Sequence, residues 1–194
     1  MNAVTPRIGR PRSAEADEAI HAAAVAEILE RGFEGVSMEA LAERAGVGKA
    51  TIYRRFSSRE DLLVSVMQRC VDEVTPEPAI DTGSLRGDLE VGVDRLVLVL
   101  TKTDIGRLWP RFACEQSDPR MDEIRANFKA LRRQPLIEAI ERAKQRGEVR
   151  PDVDAEVALD LLMGPVLARF LMGHRVFPAR WRAEIIDLVA RGMG

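Results

Sequence analysis

Cysteine is nearly missing: Cys70 and Cys114 are the only two in 194 residues, and no CxxC spacing joins them to a partner. That excludes a disulfide framework and a thiolate metal site, and leaves two buried or idle thiols in a reducing compartment. Histidine is as scarce, with His21 and His174 far apart in the chain. No GxSxG, HExxH, P-loop or dinucleotide fingerprint occurs, so the sequence predicts no catalytic residues, no metal and no cofactor. The many carboxylates of a 31% charged chain read as helix surface. Long apolar runs are also lacking: Asp104 and Arg107 close the longest candidate, near residues 96–100, well short of the roughly 18 residues that cross a bilayer. No apolar leader precedes residue 30, and the expectation is a cytoplasmic protein without a membrane partner.

Strand patterns are missing too. No run alternates apolar and polar residues over five positions, whereas apolar residues recur at three to four throughout, which predicts an all-α chain of about nine helices. Residues 1–12 carry Arg7, Arg10 and Arg12 with two prolines, a glycine and no acid, the composition of a disordered basic arm. Ser13 is placed to cap a first helix, with Glu15, Asp17 and Glu18 at its positive end and Ile20, Ala24 and Ile28 as an i, i+4 stripe. Gly32 suits a left-handed end, with Phe33 turning back to the core. Ser37 caps a short second helix bearing Met38, Leu41 and Ala42 on one face. Gly48 gives the third a permissive start. The fourth begins at Ser57 or Ser58, where Ser57-x-x-Glu60 has the capping-box pattern, and stops before Pro76. Beyond a break at 76–83 the spacing predicts helices near 84–102, 104–117, 119–146, 154–173 and 179–192, with Pro110 and Pro135 kinking or splitting two of them. The resulting division is an arm, helix-turn-helix and linker helix over 1–75, and a second helical domain over 80–194.

The formal net charge is only −2, so a polyanion partner must be argued from where the charges sit. They cluster: Arg44, Lys49, Arg54, Arg55 and Arg59 occur with no acid between Arg44 and Arg59, around the stretch GVGKATIYRRF at 46–56. Two short helices joined by a glycine-bearing turn form the helix-turn-helix unit, whose second helix enters a DNA major groove by its N-terminal residues. With Ile52 and Phe56 inward, Lys49, Ala50, Tyr53 and Arg54 face outward, flanked by Thr51 and Arg55, and the exposed face is wholly neutral or basic. Lys and Arg can hydrogen-bond guanine O6 and N7, the small Ala50 lets backbone approach, and the Thr51 and Tyr53 hydroxyls can reach phosphates.

Residues 13–66 resemble the N-terminal domain of TetR-family transcriptional regulators, carrying Phe33-Glu-Gly-Val-Ser37, Ala42-Glu-Arg-Ala-Gly-Val47, Thr51-Ile-Tyr-Arg-Arg-Phe56 and Ser58-Arg-Glu-Asp-Leu62 in the family's order. The resemblance implies that Lys49 opens the recognition helix and that Ala50, Thr51, Tyr53, Arg54 and Arg55 contact bases or phosphates. By the same resemblance Arg59 lies beside the backbone and Ser37 holds a phosphate. Gly48 stands where many relatives carry Ser or Thr, which removes a capping hydroxyl and one phosphate contact. Glu39 stands where some relatives have a base-reading cation, so the second helix is expected not to read bases. The arm RIGRPR contains a Gly-Arg-Pro core suited to a narrow minor groove, and two readings are open for Arg7, Arg10 and Arg12: minor-groove insertion, or a tail that adds nonspecific attraction.

In the second half, the helix at 154–173 is apolar nearly all round, which requires burial on more than one side. A partner subunit is the simplest second cover, with Leu161, Leu167, Phe170, Ile185 and Val189 at a two-fold seam of the last two helices; a fully internal helix in a monomer is the alternative. The resemblance implies the same seam. A dimer would present two recognition helices about 34 Å apart to a near-palindromic double-stranded operator. The helices over 84–146 could enclose a small-molecule effector, with Trp109, Phe112, Phe128 and Met163 as walls and Arg111, Glu115, Gln116 and His174 as polar anchors. The stretches EQSDP at 115–119, RGEVRPD at 146–152 and LLMGP at 161–165 resemble a common C-terminal domain type of the family. The expectation is a ligand-responsive repressor released by a small molecule, with an activator or a corepressor-dependent regulator of the same fold as the alternative. A helical protein-interaction module is the alternative from another class, distinguished by binding that ignores salt.

Overall fold

The computed structural model describes residues 12–75, 78–115 and 118–194, with side chains from residue 14. All regular structure among the described residues is helical: α1 Arg12–Arg31, α2 Met38–Arg44, α3 Lys49–Tyr53, α4 Arg59–Asp72, α5 Leu85–Lys102, α6 Asp104–Phe112, α7 Pro119–Gln145, α8 Ala155–Leu171 and α9 Ala179–Met193. None of them is long and apolar enough to cross a membrane. The chain divides into two compact units, Met1–Val66 and Met67–Gly194, the division falling within α4.

In the first unit the apolar stripe of α1 (Ile20, Ala24, Ile28) is buried, together with Phe33, Leu41, Ile52 and Leu62. α1 packs on α2 and α2 on α3. A buried acid reinforces the first contact: Glu27, 1% exposed, meets Arg44 Nε at 3.0 Å and Arg31 Nη1 at 3.4 Å. Arg44 also grips Glu30 with two donors, at 2.8 and 2.6 Å. That fork holds the Glu30 carboxyl below its ordinary range.

In the second unit α5 packs against α6, α7, α8 and α9, and α8 against α7 and α9. Leu89, Val93, Leu136, Ile140, Leu159, Leu162, Val166 and Phe170 form its core. Four of the helices open on a side-chain cap: Ser84 accepts from Gly87 N–H, Thr103 from Gly106 N–H, Asp118 from Arg120 N–H, and Asp154 from Glu156 and Val157 N–H. Asp88, fully buried at the start of α5, accepts from the Thr82 amide at 2.6 Å and hydroxyl at 2.8 Å, with Arg146 Nη2 at 3.7 Å. α6 can lie so near α5 because residue 106 is glycine: a Cβ there would meet the Val99 carbonyl oxygen at 2.2 Å.

Several boundaries differ from the sequence expectation. α1 begins at Arg12, so Ser13 lies inside it and is not its cap. α4 is capped by Ser58, whose hydroxyl accepts from Asp61 N–H at 3.0 Å, and not by a Ser57-x-x-Glu60 box. Gly48 has an ordinary φ of −69°, and the left-handed residue of that turn is Gly46 at +66°. α6 stops at Phe112 rather than 117: the bonds from Cys114 N–H to Arg111 and from Glu115 N–H to Phe112 span three residues, tightening the chain out of the helix just after Pro110. Neither Pro110 nor Pro135 splits its helix. Cys70 is buried and Cys114 exposed; burial pushes the Cys70 thiol up to about 12.

Candidate nucleic-acid interface and effector cavity

The turn between α2 and α3 is set by Gly46. Its N–H bonds the Glu43 carbonyl at 3.2 Å and the Val47 N–H bonds Ala42 at 3.0 Å, the paired closure of a Schellman motif. At the other end of α2, Ser37 Oγ accepts from Ala40 N–H at 3.1 Å, so that hydroxyl is already engaged as a cap. Ile52, fully buried, then anchors α3 by its inner face. The outer face consequently presents Lys49, Ala50, Tyr53 and Arg54, all exposed, with Tyr53 at 50%. Thr51 is half-buried beside them, and exposed Gly48 caps the helix without a side chain.

Three features differ from a freely offered cationic face. Arg55 is turned back, with Nε on the Asp17 carboxylate of α1 and Nη1 on the Thr51 carbonyl at 3.3 Å. Arg59 donates to the Glu34 carbonyl at 2.8 Å and pairs with Glu60 at 2.9 Å. The face is also not wholly neutral or basic: Glu39 of α2 lies 3.8 Å from Lys49 Nζ and accepts from Tyr53 OH at 3.4 Å. Helix α2 contributes an acid because its first turn packs alongside α3, a tertiary neighbour that the residue order between Arg44 and Arg59 does not reveal. Arg54 has no ion partner among the described residues. Arg7, Arg10 and the side chain of Arg12 lie outside the described residues.

The second unit contains a cavity of about 440 Å³, within the range that holds drug-sized ligands. Of the expected walls, Trp109, Phe128 and Met163 line it, joined by Leu96, Val99, Leu100 and Leu136. Trp109 and Phe128 pack with ring centroids 5.4 Å apart. Phe112 does not line it. That ring is fully buried behind Trp109, 6.1 Å away edge-on, with the Arg125 guanidinium 5.2 Å from its centroid. Glu115 lies past the early end of α6 and is no part of the lining, Arg111 and His174 are exposed elsewhere, and Gln116 lies outside the described residues. The polar lining comes instead from Arg125, Lys129, Arg132 and Arg133 of α7 with Asp160 of α8. Sequence reasoning missed them because α7 carries charge on every side; the signal was the recurrence of cations at 125, 129, 132 and 133, on the helical face that also carries Leu136.

A second concavity, about 470 Å³, runs between α8 and α9, lined by Val157, Leu161, Pro165, Ile185, Leu188 and Val189. Val157, Leu161 and Leu188 are 55%, 62% and 66% exposed. Two expected seam residues are not on this face. Phe170 is 2% exposed in the core, and Leu167 lines the 440 Å³ cavity. Their positions on α8 put them on the side opposite Leu161.

Comparison with known proteins follows the same two units. Residues 20–66 match the family model described as bacterial regulatory proteins, tetR family, and residues 79–189 match that of the tetracyclin repressor-like C-terminal domain. The chain is 33% identical over 165 residues to the uncharacterized HTH-type transcriptional regulator YdeS of Bacillus subtilis (strain 168), covering 84% of this chain and 82% of that protein. It is 29% identical over 170 residues to the DNA-binding transcriptional repressor TetR of Mycobacteroides abscessus, covering 85% of each. In fold it is similar to MexZ, a repressor responsible for antibiotic resistance in Pseudomonas aeruginosa, with a TM-score of 0.74 at 17% identity over 92% of this chain and 94% of that one.

Proposed function

The chain belongs to the TetR family of DNA-binding transcriptional regulators, and on that premise we propose that it is a repressor which binds a near-palindromic operator as a homodimer and is released by a small molecule. The observation that carries the DNA reading is the outer face of α3, where Lys49, Ala50, Tyr53 and Arg54 are exposed together. Lys49 and Arg54 are the base readers, the Tyr53 hydroxyl and the Thr51 side chain are phosphate contacts, and Ala50 and Gly48 leave the backbone open to the duplex. Arg55 and Arg59 reach phosphates by releasing Asp17 and the Glu34 carbonyl, and the Ser37 end of α2 adds one more phosphate contact. Repression is supported by the relative in Mycobacteroides abscessus, itself a repressor. The apolar groove between α8 and α9 supports a dimer through Leu161, Ile185, Leu188 and Val189, and the cavity supports an effector. Any molecule whose affinity differs between the DNA-bound and free states shifts operator occupancy by linkage.

Selection of bound duplexes from a random pool by the purified chain, followed by salt titration of the winner, tests the reading. The expected result is a dyad-symmetric sequence whose log affinity falls linearly with log salt. Enrichment of no sequence, with weak binding at every salt, overturns it. Transcription in vitro from a promoter overlapping that sequence then decides the sign: repression is expected, and stimulation overturns the repressor assignment alone.

A further inference from the structure

The wall of the 440 Å³ cavity is largely apolar, with its cations gathered on one helix. α5 supplies Leu96, Val99 and Leu100, α6 supplies Trp109, and α8 supplies Met163; α7 adds Phe128 and Leu136, and it alone brings cations to the same space, Arg125, Lys129, Arg132 and Arg133. Among the described residues one carboxylate lines the cavity, Asp160, and it is taken: it accepts from Arg133 Nη1 at 2.7 Å, and Glu156 binds the same guanidinium through Nε at 2.9 Å. Arg125 is held on the Phe112 carbonyl at 2.9 Å and on Asp122. Lys129 is exposed and has no ion partner among the described residues.

Resting on the reading of this cavity as the effector site, we propose that it takes an amphipathic anion: an apolar alkyl or aromatic body against α5, α6 and α8, and one carboxylate, sulfonate or phosphate head against Lys129 and Arg132 of α7. A cationic ligand would meet a row of like charges. A neutral apolar ligand seated against this wall would strip water from the Lys129 ammonium and return nothing. Burial pulls the Arg132 guanidinium down to about 10. An anionic head supplies charge-assisted hydrogen bonds where the lining holds a surplus of donors.

Two fluorescent probes that share an anilinonaphthalene body test this on the full chain: 8-anilinonaphthalene-1-sulfonate, which is anionic, and N-phenyl-1-naphthylamine, which is neutral. The sulfonate is expected to bind about tenfold tighter or better. Lys129→Gln, at an exposed position, and the double variant with Arg132→Gln are expected to lower sulfonate affinity progressively while changing that of the neutral probe less than about twofold. Met163→Trp, which fills the space, is expected to abolish both signals. Displacement of the sulfonate by decanoate or by 2-naphthoate then tells an alkyl from an aromatic body. Equal affinity for the two probes, or a preference untouched in Lys129→Gln, overturns the anion assignment and leaves the cavity reading standing. Binding of both probes unchanged by Met163→Trp overturns the cavity reading, and the anion proposal falls with it.

Discussion

Glu39 places a carboxylate on the proposed DNA-reading face, where it holds two of the donors that DNA would use, Lys49 Nζ at 3.8 Å and Tyr53 OH at 3.4 Å. An exposed pair at that distance is worth about 1 kcal/mol or less in water. A phosphate approaching Lys49 must displace Glu39 or tolerate it. Glu39→Gln is therefore expected to raise affinity for random duplex roughly two- to fivefold at low salt, a gain that shrinks as salt screens it. Fluorescence anisotropy across a salt series measures this; an affinity that drops, or a gain independent of salt, means Glu39 supports the interface instead of opposing it. Tyr53 is the complementary case, since half its surface is exposed and Ile52 does the anchoring. Tyr53→Ala is expected to weaken operator binding about tenfold or more, with helix content and subunit association retained. Loss of helix signal by circular dichroism would show instead that the ring is structural. The resemblance marked Glu39 as a residue that does not read bases, but its pairing with Lys49 and Tyr53 was not readable in linear order, because the α2–α3 turn alone brings them together.

That turn separates two glycines that look alike in sequence and differ in physics. Gly46 has φ +66° and closes α2, so Gly46→Ala forces a side chain into the left-handed region and is expected to cost about 1–2 kcal/mol. Gly48 sits at φ −69°, ψ 143°, in the ordinary geometry of an N-cap, with nothing within 4 Å of a Cβ placed there. Gly48→Ser is expected to stabilise the first unit by a few tenths of a kcal/mol by supplying the missing hydroxyl. Thermal unfolding of the two variants should move in opposite directions, and a stabilised Gly46→Ala would refute the assignment of strain. Helices of this chain were legible because the 3.6-residue period and the Ser37 cap are local properties. The end of α6 was not, because Pro110 let the helix pass and the stop came from three-residue turns after Phe112. The cavity was legible only in part. Trp109, Phe128 and Met163 stand out as large apolar residues, whereas the α7 cations matter through the faces that α5, α6 and α8 turn toward them, and that is tertiary information.

In the proposed homodimer, association of two chains turns a short recognition helix into an operator reader. One α3 offers few base contacts, but a second one tethered by a dimer binds its half-site at high effective concentration, so affinity for a dyad collapses when the tether is cut. The groove between α8 and α9 is the face suited to that tether: Val157, Leu161 and Leu188 are each more than half exposed, an arrangement that a monomer leaves wet at a cost of about 25 cal/mol per Å² of apolar surface. The two sides of α8 consequently report on different properties. Leu161→Glu puts a charge at the centre of the proposed seam without touching the core, and is expected to give monomers by sedimentation velocity and to lose operator affinity by at least about a hundredfold while retaining nonspecific, salt-sensitive binding. Leu167→Glu, on the cavity side, is expected to leave the chain dimeric and to impair effector binding instead. The reverse pattern, a dimeric Leu161→Glu and a monomeric Leu167→Glu, would move the seam to the opposite face of α8 and would require the groove to serve some other partner.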